Sequence, residues 1–540
     1  MEAVLKYFDK KVSRRQIDVL TVAFIIVMSF FPSFINIPYN INIFLAWEGA
    51  YRIYLGQMPS IDFYLPMGFI FWLLPAFFFK IFGPGLHTLI IFQSFVNLIT
   101  YLAFRKILVL LKVERTVVFL SLLVLGISYV LLNFWPWYNN FVFVLQLISI
   151  VFFLKYRQAD TKAFRFLYLF LTALFSVLAF FTKQDSGAFT IMLNVALVVL
   201  TSLKSKSFQQ ILIFILALIF FSLPLIVPFL SHDFQYWFNL GQKPHYSRLN
   251  LFDYLHVLLG SLDWVKLYAI AIFISLIVKF QNFNQLFSNE REYLFLFIVL
   301  GILVQASVIQ VTSYIPHYNT YYLHAFSFAY IISSITGLQN KLAKAKVFLF
   351  MSALVMFLWS ADLWKYSLKF ARKLMPTAFF EAPQNVVSVN TWLKSDETQF
   401  DKKTNWRLSD LEGFRHIYLP EETIAGMDKI VKEYEGVENL KVLNMSELTP
   451  LAATIGYTPM VNQPLWYHKN VSIFEREIEV LCNRIKDHEY DLVLFEKIPI
   501  LNNFYPQEIY DCLLENYKMK DEFRAPRREP DATVCVFEKE

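Results

Sequence analysis

Four short groups of residues combine side-chain types that do chemistry. Glu48 and Asp62 lie in the stretch Trp47–Gly83, directly after the first long apolar run. A carboxylate beside an apolar surface can serve as a general base or a metal ligand. The plainer reading is a pair of solvated loop carboxylates, with Arg52 as partner. Lys183, Gln184 and Asp185 follow another apolar run, where a lysine at the bilayer edge is placed to hold a lipid phosphate. A snorkelling lysine beside a helix cap would look the same. Asn139 and Asn140, after Trp135-Pro136-Trp137-Tyr138, offer amides to a sugar, and His317 and Tyr318 follow Pro316 in a later polar gap. Both gaps also read as turns bordered by an interfacial aromatic belt.

The elements that must position these residues are membrane helices. Of the 540 residues, 56% are hydrophobic and 18% aromatic, which marks a polytopic α-helical membrane protein. Apolar runs fall near 18–37, 87–104, 116–134, 140–154, 165–182, 187–203, 209–230, 264–280, 293–312, 321–338 and 347–364, about eleven transmembrane helices, of which 140–154 is the shortest. The run 66–82 is interrupted by Pro66, Gly68 and Pro75. If it does not cross, the basic residues collect in alternate loops (Arg105, Lys106, Lys112 and Arg115; Lys155, Arg157, Lys162 and Arg165; Lys341, Lys344 and Lys346) and leave the opposite loops poor in cations. The positive-inside rule therefore makes 66–82 an interfacial helix in the first outer loop. The segments 38–86, 134–139, 183–186, 231–263 and 313–320 then face outward together, with everything after about 365. The net charge of +6 is modest and spread among short loops, so nucleic acid is not an expected partner. The first run has a basic head and no small-residue cleavage site after it, and reads as a retained span.

Residues 1–364 thus form a transmembrane module, and 365–540 read as an external soluble α/β domain. LKVLNMS (440–446), DLVLFEKI (491–498) and ATVCVFEK (532–539) have the pattern of short buried strands, and 474–490 has helical periodicity. The three cysteines Cys482, Cys512 and Cys535 cannot all pair, and their pairing stays open. The chain contains no Walker motif, no glycine fingerprint at a strand–helix junction and no HExxH.

In the stretch Trp47–Gly83, Trp47-Glu48, Tyr51, Leu55-Gly56, Asp62-Phe63, Pro66 and Phe82-Gly83 resemble the first outer loop of the GT-C superfamily of membrane glycosyltransferases. The nearest branch is the protein O-mannosyltransferase and aminoarabinose-transferase type. Phe181-Thr182-Lys183-Gln184, Pro316-His317-Tyr318 and the segment 450–473 resemble later motifs of that branch. Two departures stand out. Trp47 replaces the first member of an acidic pair, and Asn139 and Asn140 stand where the family carries an acidic residue. The metal ligands are therefore not carried over. Whether a metal is used stays unknown, with a divalent cation as the candidate cofactor.

The resemblance implies inverting transfer of a sugar, hexosyl or pentosyl, from a polyprenyl-phosphate donor. The acceptor would be a lipid, glycan or protein on the outer, periplasmic or extracellular face of a bacterial-type inner or plasma membrane. Glu48 would be the catalytic base and Lys183 would hold the leaving phosphate. Asp62, placed with Glu48 in the catalytic pair, would orient sugar or acceptor. Arg52, Gln184, Asp185, Asn139, Asn140, His317 and Tyr318 would complete the substrate-binding set. The main alternative is a lipid or sugar transporter or flippase, which would carry ionisable residues within spans and often inverted repeats; neither is evident here. A third class is a receptor or assembly protein with the outer domain as its working part.

Overall fold

The computed structural model describes residues 11–130, 133–238, 250–279, 283–313, 322–335, 338–359, 405–499, 504–527, 529 and 531–539. Among these, seven helices are long and apolar enough to cross a membrane: Arg14–Phe34, Leu86–Leu110, Tyr138–Gln158, Lys162–Phe180, Gln184–Ser205, Gln209–Phe229 and Glu290–Thr312. An eighth crossing is made if Leu251–Gly260 and Asp263–Lys279, bent by 80° at their junction, count as one. The protein is an integral membrane protein with a mostly helical body. The expected count of about eleven is not reached by span-length helices. Arg115–Ser128 and Ala345–Trp359 are shorter apolar helices, and Tyr322–Ser334 has 13 described residues.

Polar ends explain why the shortest apolar run belongs to a longer helix. The run at 140–154 is the centre of a 21-residue helix, Tyr138–Gln158, because Tyr138, Asn139 and Asn140 at one end and Lys155 to Gln158 at the other stay helical. This helix lies inside the bundle, with 83% of its most apolar stretch buried, whereas Gln209–Phe229 has 11% buried and turns its side chains outward. Ile70–Phe82, with Pro75 inside it, has 13 residues. At 1.5 Å per residue it spans roughly 20 Å, less than the ~30 Å of a bilayer core. Its approach segment packs backbone to backbone on the turn before Gln184. Ile70 N–H donates to Phe181 O at 3.2 Å, and a Cβ added at Gly68 would lie 1.8 Å from that same oxygen. Only glycine fits there.

The C-terminal residues build three small sheets, two of which include strands of the first loop. Strands β5 (Val442–Met445), β7 (Leu492–Lys497), β9 (Thr533–Glu538) and β8 (Lys518–Arg524) form one sheet in the order β5-β7-β9-β8, with β5 parallel to β7 and the other pairings antiparallel. Helix Glu475–Lys486 joins Gln507–Asn516 through a Cys482–Cys512 disulfide, and Cys535 is free and buried. The three strands and the helix expected from periodicity are all present. β1 (Ile37–Pro38) pairs in parallel with β4 (Ile417–Pro420), which pairs antiparallel with β3 (Trp406–Leu408). β2 (Phe63–Tyr64) pairs in parallel with β6 (Gln463–Pro464).

Candidate active site

Glu48 sits midway along helix Ile43–Tyr54, ten of whose twelve residues are buried. Arg52 stands one turn on and donates to Glu48 Oε1 through Nη2 at 2.7 Å and Nε at 2.9 Å. Its third nitrogen, Nη1, donates to Met460 O at 2.8 Å and Gln57 Oε1 at 3.0 Å. Gln57 Nε2 in turn donates to Pro459 O at 2.6 Å. The ion pair is thus clamped between the first loop and residues 459–460. Burial raises the Glu48 pKa, and the Arg52 guanidinium opposes that rise. Glu48 Oε2 is buried and makes no hydrogen bond. It lies at a narrow cavity shared with Asn444, Thr449, Tyr457, Gln463 and Tyr467, which has room for about one water.

Trp47, which takes the place of an acidic residue, belongs to the packing. It is fully buried, stacks on Tyr51 with ring centroids 4.5 Å apart and donates to Pro84 O at 2.8 Å. Asp62 holds its own turn, its Oδ2 accepting from Met58 N–H at 2.7 Å. Its carbonyl accepts from Asn462 N–H at 2.7 Å. Two residues on, Tyr64 forms one wall of a cavity of about 480 Å³, with Asn462, Trp237 and helix Glu475–Lys486 as the others.

Lys183 precedes the first turn of helix Gln184–Ser205, with its Nζ 3.3 Å from Asp185 Oδ1. Asp185 Oδ2 accepts from Thr312 Oγ1 at 2.8 Å. Gln184 Nε2 donates to Pro66 O at 3.0 Å and Phe238 O at 3.1 Å, tying this turn to the first loop. Asn140 donates to Asn133 Oδ1, and the side-chain oxygens of Asn139 and Asn140 are buried without hydrogen bonds. Tyr138 beside them packs on Phe71 and Trp72 of helix Ile70–Phe82.

The expected residues therefore gather around one loop, 43–82, in two separate pairs. Glu48 with Arg52 faces the C-terminal sheets, and Lys183 with Asp185 faces the bundle; the Glu48 cavity is lined by neither Lys183 nor Asp62. His317 and Tyr318 lie outside the described residues. No group of three His, Cys, Asp or Glu side chains suited to a metal occurs among the described residues.

Two clusters were missed from the sequence. One is a buried amide chain beneath Lys183. Gln146 Nε2 donates to Gln305 Oε1 at 2.7 Å, Gln305 Nε2 reaches Ser186 O at 3.3 Å, and Tyr322 Oη reaches Gln305 Oε1 at 3.2 Å. Its signal was uncharged polar residues inside apolar runs, which in a bilayer are costly unless satisfied. The other is Arg527 with Glu447 and Glu496, all buried. Glu447 also accepts from Tyr39 Oη at 2.9 Å and Asn42 N–H at 2.8 Å, so it locks the first loop to the sheet. The signal there was a glutamate within an otherwise apolar strand, DLVLFEKI.

Two solved structures match this fold over nearly the whole chain. One, of ArnT from Cupriavidus metallidurans bound to undecaprenyl phosphate, matches with a TM-score of 0.52 at 12% identity, over 97% of this chain and 98% of that one. The apo form of the same protein matches at 0.50 and 12%, over 96% and 97%. This chain has the ArnT fold. The resemblance to the aminoarabinose-transferase branch therefore holds for the fold across nearly the whole chain. No family model matches the sequence, and no curated protein does. At this identity the ArnT likeness concerns architecture and leaves the sugar open.

Proposed function

We propose that this protein is a polyprenyl-phosphate-dependent glycosyltransferase, acting on the outer face of the membrane. The observation that carries the reading is the ArnT fold over nearly the whole chain, matched in a structure that holds undecaprenyl phosphate. In the reaction, an acceptor hydroxyl attacks the anomeric carbon, the bond from that carbon to the donor phosphate oxygen breaks, and polyprenyl phosphate leaves. The hydroxyl proton goes to Glu48, whose Oε2 keeps its lone pairs free. A water in the narrow cavity relays it. Arg52 fixes the base, and Lys183 at a helix N-terminus balances charge on the departing phosphate. Asp62, Gln184, Asp185, Asn139 and Asn140 orient sugar and acceptor, with His317 and Tyr318 as the remaining substrate contacts.

We take residues 1–364 as the transmembrane module, with about eleven crossings once short helices are counted, and 365–540 as an external α/β domain. Two observations support the outward side: the basic residues gather in the opposite loops, and Cys482–Cys512 is a disulfide, a bond favoured outside the reducing cytosol. A specific observation favours a second reading of the base: the Glu48 cavity admits little more than water, while the Asp62 carbonyl accepts from Asn462, which lines the larger one. In that reading Glu48–Arg52 is a clamp and Asp62 takes the proton. The test is transfer from a radiolabelled polyprenyl-phosphate sugar by the purified protein in lipid. Glu48→Gln is expected to slow turnover by about 10²–10⁴-fold with undecaprenyl-phosphate binding unchanged. If Asp62→Asn shows that loss instead, the roles are reversed, and if neither variant differs from wild type the transferase reading fails.

A further inference from the structure

We propose that the cavity of about 480 Å³ beside Asp62 is a saccharide-binding subsite for the acceptor. Its role in transfer rests on the transferase reading above; its binding chemistry does not. Ligand cavities span roughly 300–1,000 Å³, so this one is sized for one or two sugar rings. None of its lining residues comes from a span-length helix. They come from the first loop (Tyr64), the segment 231–237 and the C-terminal residues 462–484. A ligand here needs no acyl chain in the bilayer, which separates it from the lipid donor.

The lining has the mixed character that a polyhydroxylated ring requires. Tyr64 and Trp237 stack with centroids 4.7 Å apart and planes 8° apart, forming a rigid aromatic wall. Arg476 is fixed over the Tyr236 ring at 4.1 Å and is paired with Asp233 at 3.2 Å and Glu477 at 2.8 Å. Two guanidiniums, Arg476 and Arg484, thus face two carboxylates, Asp233 and Glu477, and their charges cancel. That balance favours a neutral sugar over a nucleotide or free phosphate. Arg484, whose Nε lies 3.4 Å from Glu489 and which also meets Tyr490, lines the same cavity, where a sugar oxygen can accept from its guanidinium. The subsite also touches the reaction centre proposed above, since Asn462 donates its N–H to the Asp62 carbonyl and accepts from Tyr64 Oη at 3.2 Å.

The experiment uses the full chain in lipid nanodiscs and saturation-transfer NMR with neutral hexose and hexosamine disaccharides as probes. Saturable binding is expected in the wild type. Val480→Trp fills the cavity from a position that is 48% exposed, where the fold tolerates change, and is expected to weaken binding tenfold or more. Arg484→Gln is expected to weaken it by about tenfold. Undecaprenyl-phosphate binding should be the same in all three proteins. Disaccharide binding with no undecaprenyl-phosphate binding in the wild type would defeat the transferase reading and leave the subsite standing. Absence of disaccharide binding in the wild type, or undiminished binding in Val480→Trp, would overturn the subsite.

Discussion

The two cation–carboxylate pairs of the first-loop region are built in opposite ways. Glu48–Arg52 is local, one helical turn apart, and almost sealed, with side-chain exposures of 8% and 1%. Lys183–Asp185 straddles a helix start, keeps a longer separation of 3.3 Å, and is more open at 11% and 21%. In the first, the arginine uses every nitrogen on protein oxygens, so the pair serves as a clamp as well as a chemical group. In the second, the carboxylate is held by Thr312 from another span and is the more exposed partner, at 21% against 11% for the lysine. A sealed pair suits a group that must keep a shifted protonation equilibrium. A more open pair suits one that must meet a charged ligand and release it.

The contrast is broken most sharply at Arg52. Arg52→Ala leaves the Glu48 carboxylate buried without its cation and strips a donor from Met460 O; the expected loss of stability is about 3–5 kcal/mol. Thermal unfolding in detergent checks it, and a loss under ~1 kcal/mol would mean that the clamp is not structural. The matching change at the open pair, Lys183→Ala, should leave the unfolding temperature nearly unchanged. It should lower transfer or donor affinity by about 10–100-fold, the worth of one charge-assisted hydrogen bond. A stability loss as large as that of Arg52→Ala would erase the distinction drawn here.

A third expectation concerns how the first loop is locked to the sheet. Burial outweighs Arg527 and pushes Glu447 up to about 7, with Glu496 adding to the rise. The unfolded chain loses that proton near the ordinary value of 4.5, so between about pH 4.5 and 7 the folded state binds more protons than the unfolded one. Stability is then expected to fall as pH rises through this window. Unfolding followed from pH 4.5 to 7.5 should show the decline, and Glu447→Gln should flatten it. The smallest effect is expected at Asp62. Asp62→Asn keeps an acceptor for Met58 N–H and should reduce turnover less than tenfold if Asp62 only orients substrate. Initial rates at saturating donor measure this.

Much of the architecture was legible because membrane physics writes it in composition. Apolar runs, basic loops and the strand patterns at 442–445, 492–497 and 533–538 each follow from local sequence. Helix Tyr138–Gln158 was read short because a hydropathy window counts Asn139 and Asn140 against a span, although buried polar ends are tolerated inside a bundle. The polar chain Gln146–Gln305–Tyr322 was not legible because its members are far apart in sequence and uncharged, so only their packing shows that they meet.

By itself, then, the sequence determined that the chain crosses a membrane repeatedly, that loop 43–82 carries Glu48, Arg52 and Asp62, and that a sheet-forming segment closes the chain. Arg52 was legible as a partner of Glu48 only for a pair of solvated loop carboxylates, not for a buried pair on a helix. Only the tertiary structure decided that this pair is buried, because the residues that cover it, 442–467, lie some 400 positions away, as the separation of 408 between Arg52 and Met460 records. It alone decided that Glu48 lines a small cavity while Asp62 is tied through its carbonyl to Asn462, in the wall of a large one. Burial and cavity shape are sums over partners that local pattern does not specify, and in a bilayer protein those sums set which carboxylate can meet a substrate.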